Sequence, residues 1–140
     1  MTIATSEYIS SSENETKLIA SDISQKLKPG DVIALVGQLG TGKTFLVKSL
    51  CEKWEISDVT SPTFSIVNQY SGKINVNHFD FYRIKNPEEL YNIGFEEYLM
   101  SGNTITFIEW ADMFPEILPK DIIKIIITYS ENNKRKITIE

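Results

Sequence analysis

Asp31-Val-Ile-Ala-Leu-Val36, running straight into Gly37-Gln-Leu-Gly40-Thr-Gly42-Lys43-Thr44, decides the fold. The first six residues hold a continuous apolar run with a glycine on either side. A run of that length without polar alternation reads as a strand buried on both faces, the signature of a parallel sheet. The next eight residues match G-x-x-x-x-G-K-[ST] in full. Glycines there permit backbone angles that side chains forbid, so successive amide N–H groups can turn inward on phosphate oxygens. A helix opening at Lys43 aims its positive dipole end at the same anion. Lys43 adds a mobile ammonium for the outer phosphates, and Thr44 offers a hydroxyl to a magnesium ion. Nucleoside triphosphate and Mg²⁺ are therefore the expected ligands. The helix should span 43–54, with Phe45, Leu46, Leu50 and Trp54 available for packing.

Working outward, residues 10–15 (SSSENE) form a polar cluster in which Ser12 and Glu15 have the spacing of a capping box. The helix they open carries Leu18, Ile19, Ile23 and Leu27 on one stripe and stops at Pro29-Gly30. Downstream, residues 60–64 read as loop around Pro62. Residues 65–70 and 74–80 pair as a hairpin about Ser71-Gly72. Pro87 suits a first helical turn, Gly94 breaks that helix, and a short helix follows over 95–100. A second buried strand runs over 104–108, and residues 122–129 and 134–139 form a closing hairpin around Asn132-Asn133. Phe79, Phe81, Phe95 and Tyr98 belong to the core. The expected fold is a single α/β domain over residues 1–140, resembling P-loop NTPases, with a mixed parallel and antiparallel sheet flanked by helices.

The chain has 140 residues and a mass of 16.0 kDa, enough for one domain and little more. Its 19 acidic residues against 14 basic ones give a net charge of −5, and Arg83 and Arg135 are its only arginines. That balance excludes a free-standing nucleic-acid binder, which needs a positive field to release counterions from phosphates. Cys51 stands alone, so no internal disulfide forms and a reducing, cytoplasmic setting is expected. One cysteine and one histidine, His78, cannot build a zinc site. The first thirty residues show no signal-peptide pattern, and no apolar run approaches the roughly 20 residues of a membrane span.

A P-loop hydroxyl usually shares its metal with a carboxylate at the end of a neighbouring buried strand. Glu109, just past the 104–108 strand and before Trp110, is one candidate, and Asp112 lies a turn further on. Asp80, at the end of the 74–80 run, is its rival for the metal or for the attacking water. Spacing alone leaves the two roles open. Ser61 and Thr63 are candidates either for γ-phosphate contacts or for holding a proline turn.

These motifs together resemble the TsaE family, the ATPase component of bacterial tRNA threonylcarbamoyladenosine synthesis. The resemblance rests on 37–44, on Ser61-Pro-Thr-Phe64 with Val67 and Tyr70, and on His78-Phe-Asp80-Phe-Tyr82-Arg83. Pro87-Glu-Glu-Leu90, Gly94 and Ile108-Glu109-Trp110 complete it, in order over nearly the whole chain. It implies an ATPase, monomeric when isolated, that acts with the TsaB–TsaD heterodimer. It further implies that Gly37, Gln38, Leu39, Gly40, Thr41, Gly42, Lys43, Thr44 and Phe45 hold the nucleotide. Thr44 and Glu109 would meet magnesium, Asp80 would be needed for hydrolysis, and residues 61–64 would act as a nucleotide-sensing switch. Glu13 and Lys134 would lie near the adenine. With two arginines and no lid-length insertion, hydrolysis should be slow alone and raised by partners. A small nucleoside kinase and a non-hydrolysing ATP-gated module are the competing readings.

Overall fold

The structure, a computed structural model, describes residues 5–38, 40–60, 62 and 65–140. Seven strands form one sheet: β1 (Ser6–Ser10), β2 (Val32–Val36), β3 (Val67–Tyr70), β4 (Asn75–Asp80), β5 (Thr104–Glu109), β6 (Ile123–Tyr129) and β7 (Arg135–Ile139). Their spatial order is β1-β7-β6-β2-β5-β4-β3. The central four, β6, β2, β5 and β4, run parallel, while β7, β1 and β3 pair antiparallel at the margins. The fold is thus the mixed α/β sheet expected from the sequence, with β2 at its centre.

Alternation along β2 explains why its sequence is apolar throughout. Ile33 and Leu35 face a core built with Ile19 and Ile23 of α1 (Glu13–Ser24) and Leu46 and Leu50 of α2 (Lys43–Glu52). Val32 and Ala34 face the opposite core, which gathers Phe79, Phe81, Leu90, Phe95, Ile108 and Phe114. That second layer lies with α3 (Pro87–Asn92) and α4 (Phe95–Leu99). Phe79 meets Phe95 and Tyr98 edge to face, with centroids 5.1 and 5.3 Å apart, a geometry favoured by the ring quadrupoles. With helices on both faces, every β2 position needs an apolar side chain.

Several expectations shift in detail. Ser12 does cap α1, accepting the Glu15 N–H at 3.1 Å, but the Glu15 carboxylate takes the N–H of Ser11 at 2.9 Å. The capping box is therefore only half made here. A complete one opens α3, where Asn86 and Glu89 bond reciprocally. Helix α1 ends at Ser24, so Leu27 packs from the following turn, and Leu18 points outward at 72 % exposure. Strand β1 was not evident in the sequence; it exists because β7 offers it an edge, with Ser6 opposite Ile139 and Ser10 opposite Arg135. Among the described residues no helix is long and apolar enough to cross a membrane.

Candidate functional site

The C-terminal end of β2 delivers the chain into the glycine-rich turn. Gly40 and Gly42 sit at φ +83° and +100°, where a β-carbon is strongly disfavoured. Gly42 is the N-cap of α2 and provides no side-chain cap. The opening N–H groups of the helix therefore have no intrahelical acceptor and face the turn. Lys43 is buried and donates from Nζ to the Gly37 carbonyl at 2.6 Å, with the Trp110 ring centroid 5.1 Å away. Thr41 closes the turn by donating its hydroxyl to the Gln38 carbonyl at 2.8 Å. The closing hairpin also reaches the turn. Tyr129 donates its hydroxyl to the Gly40 carbonyl at 2.6 Å, and the Arg135 guanidinium packs beside Gly42 and the Tyr129 ring.

Two carboxylates stand beside this turn because of strand register. Glu109 lies level with Leu35 of β2 on one side and with Asp80 of β4 on the other. It belongs to β5 itself rather than following it, and is only 5 % exposed. Its Oε2 accepts a 2.7 Å hydrogen bond from Nε2 of His78, which is wholly buried. Asp80 is half-buried and accepts the Tyr82 N–H at 2.8 Å. Burial raises its proton affinity; the Tyr82 bond opposes this, the charge of Glu109 adds to it, and His78 and Lys43 pull it down. Trp110 then turns in the left-handed region at φ +59°, and its ring lies 5.0 Å from that of Tyr82.

A cavity of about 500 Å³ opens next to the turn, bordered by Gly37, Gln38, Lys43, Trp110, Thr128 and Tyr129. This lies within the volume range of small-molecule sites, at the C-terminal edge where parallel sheets bind ligands. Uncapped helix N–H groups and a buried lysine suit a polyphosphate. A hard divalent cation suits the carboxylates, since two acids held level on neighbouring strands repel one another. Among the described residues no three acidic, histidine or cysteine side chains form a metal cage by themselves. Mg²⁺ needs none, because it takes most of its ligands from phosphate and water.

Comparison with known proteins bears on the same residues. The family model described as "Threonylcarbamoyl adenosine biosynthesis protein TsaE" matches residues 10–137. The chain belongs to the TsaE family. It is 42 % identical over 134 residues to the Rickettsia typhi tRNA threonylcarbamoyladenosine biosynthesis protein TsaE, covering 92 % of this chain and 90 % of that one. Identity to the Bacillus subtilis protein of the same name is 38 %, over 89 % of this chain and 78 % of the other. The crystal structure of Bacillus subtilis YdiB superposes with a TM-score of 0.79 at 30 % identity, covering 99 % of this chain and 86 % of that one. The family's role lies in threonylcarbamoyladenosine biosynthesis.

The TsaE match spans the whole glycine-rich turn, both carboxylates and Arg135. Structure brings Gly37, Gln38, Thr41 and Lys43 to the cavity wall, with Asp112 on its rim. Thr44 and Phe45 follow on the first turn of α2, both half-buried. Leu39, Ser61, Thr63 and Phe64 lie outside the described residues. Glu13 and Lys134 are exposed, at the start of α1 and between β6 and β7, and neither borders the 500 Å³ cavity. Lys134 stands close enough to Glu15 to help hold that carboxyl low, after the hydrogen bonds from Ser11. Three participants were missed in the sequence: the His78 bond to Glu109, and the approach of Tyr129 and Arg135 to the glycine turn. For His78 a signal existed, since residues two apart on a strand share a face and His78 is two before Asp80.

Proposed function

We propose that this chain is a magnesium-dependent ATPase serving formation of the threonylcarbamoyl group on tRNA adenosine, slow alone and working with the TsaB–TsaD pair. The observation that carries this reading is the convergence of three adjacent strand ends. β2 leads into the glycine turn and Lys43, while β5 and β4 bring Glu109 and Asp80 to one register level. When bound, Mg²⁺·ATP supplies the transferable phosphoryl group and a divalent charge that offsets the phosphate oxygens. The uncapped N–H groups of α2 bind phosphate oxygens. Lys43 exchanges the Gly37 carbonyl for the outer phosphates. Thr44 and Glu109 are the residues suited to hold the metal. Asp80, partly open to solvent and raised in proton affinity, orients the attacking water and accepts its proton.

A chain of net charge −5 with two arginines leaves RNA handling, and much of the stabilisation of transition-state charge, to its partners. Reconstitution with TsaB and TsaD tests the proposal, following phosphate release and RNA modification. Lys43→Ala should abolish ATP binding in calorimetry. Asp80→Ala should keep binding but lose phosphate release and modification. Rapid turnover by the isolated chain, or phosphate appearing on an acceptor, would overturn it. Modification surviving in Asp80→Ala would favour an ATP-gated module instead.

A further inference from the structure

Burying His78 carries a cost that its packing alone does not explain. The side chain is 0 % exposed, on the face of β4 that it shares with Val76 and Asp80. Its register partners are Phe107 on β5 and Asn68 on β3, and the layer toward Val76 and Ile105 is apolar. Among the described residues Nδ1 has no hydrogen-bond partner. An aliphatic side chain would fill the position without the unpaired Nδ1, but would strip the buried Glu109 Oε2 of its partner. What the imidazole gains in exchange, among the described residues, is the 2.7 Å contact from Nε2 to Glu109 Oε2.

A carboxylate only accepts, so Nε2 donates the hydrogen of this bond. The bond starts two register positions below Glu109, because His78 is level with Phe107 and Asp80 with Glu109. It therefore ties the glutamate to β4 through one oxygen and leaves Oε1 out of the bond. A glutamate without it would sample several rotamers at the strand end. Outer partners of this kind orient ligating carboxylates and commonly change metal affinity by about 10- to 100-fold when removed.

We infer that His78 is a positioning residue, holding the Glu109 carboxylate by Oε2 so that Oε1 is presented to the nucleotide-bound metal. This rests on the reading of Glu109 as a metal ligand. A purely structural role would lower stability alike in the presence and absence of metal and leave metal affinity untouched.

The test is calorimetric titration of ADP into the full chain, once with Mg²⁺ and once with EDTA. His78→Leu should leave the EDTA affinity within about twofold while the gain conferred by Mg²⁺ falls by about tenfold or more. His78→Gln, whose amide reaches the carboxylate, should keep most of that gain, and His78→Asn, too short, should lose it. This polar pair serves equally if the leucine variant fails to fold. In a Glu109→Gln background, His78→Leu should cause no further loss, since both act through one carboxylate. An unchanged Mg²⁺ gain in His78→Leu or His78→Asn overturns the inference. So does an equal loss in EDTA, or a full loss in His78→Gln. If Glu109→Gln itself leaves the Mg²⁺ gain intact, the metal reading of Glu109 fails and takes this inference with it. Loss in Glu109→Gln but not in the His78 variants sinks the role of His78 alone.

Discussion

Gly37→Ala tests how tightly the phosphate turn is wedged against the sheet. Gly37 does not need a left-handed backbone, so its lack of a side chain has a steric reason. A β-carbon there would sit 2.7 Å from the Ile127 carbonyl oxygen and 2.9 Å from Thr41 Oγ. The threonine could rotate away, but only by giving up its bond to the Gln38 carbonyl. The Ile127 carbonyl cannot rotate, because β6 is pinned by β2 on one side and β7 on the other. The contact must open by about 0.7 Å to reach ordinary van der Waals separation, so the turn moves rather than the strand. Overpacking of that kind costs about 1–3 kcal/mol, which for a chain of this length lowers Tm by about 3–10 °C.

The same displacement moves the Gly37 carbonyl, on which Lys43 Nζ rests, together with the phosphate-facing amides. A misplacement approaching 1 Å can cost on the order of 100-fold where geometry is demanding. Nucleotide affinity should therefore fall by at least about tenfold. Thermal denaturation by circular dichroism and ATP titration read the two effects separately. Gly102→Ala is the control, since it has ordinary backbone angles and nothing within 4 Å of the added carbon. It should stay within about 0.5 kcal/mol of the parent. A Gly37→Ala chain that melts and binds like the parent would refute the steric argument.

Asp80→Asn should stabilise the chain at about pH 7 and lose that advantage at about pH 3 in urea melts. Burial first, and then Glu109, raise Asp80 above its ordinary 3.8, so the folded chain binds this proton more tightly and stability declines as pH rises through the folded value; a variant less stable at neutral pH would contradict this. Burial pushes the Cys51 thiol up to about 12, so iodoacetamide at about pH 8 should label it only after unfolding, and rapid native labelling would show the α2 face to be open. Tyr129→Phe removes the hydroxyl that holds the Gly40 carbonyl, and should lower stability by about 1 kcal/mol and weaken ATP binding; unchanged titrations would mean the bond does not shape the turn.

Much of the fold was legible because its centre obeys simple patterning. β2 and β5 are apolar since helices cover both faces, and the glycine turn declares its own backbone angles. The hairpins were legible for the same reason: the turn at Asn132 and Asn133 uses residues that tolerate the left-handed region, at φ 59° and 61°. Strand β1 was not legible, because only the edge of β7 makes five residues with Glu7 and Ile9 both exposed extend. Glu109 was found but placed outside its strand, since a charge normally ends an apolar run. It remains inside because His78 meets it, and a cross-strand bond between positions 31 apart leaves no local mark.

That failure has a physical pattern. Lys43, His78 and Glu109 are all nearly buried, and all lie toward the C-terminal ends of β2, β4 and β5. Each burial opposes folding unless it is paired, and among the described residues the pairings are sparse: one carbonyl for Lys43 and one carboxylate oxygen for His78. Apolar packing elsewhere on the same strands must offset them, which β2 provides with Val32, Ile33, Ala34 and Leu35 filling both layers. A sheet optimised for stability alone would have continued that packing to the strand ends. The buried ionisable groups Lys43, His78 and Glu109 gather at one edge, beside the glycine turn, where on the proposed function a polyphosphate and its cation would complete them. On the proposed function, these strand ends are where local patterning gives way to the needs of a ligand.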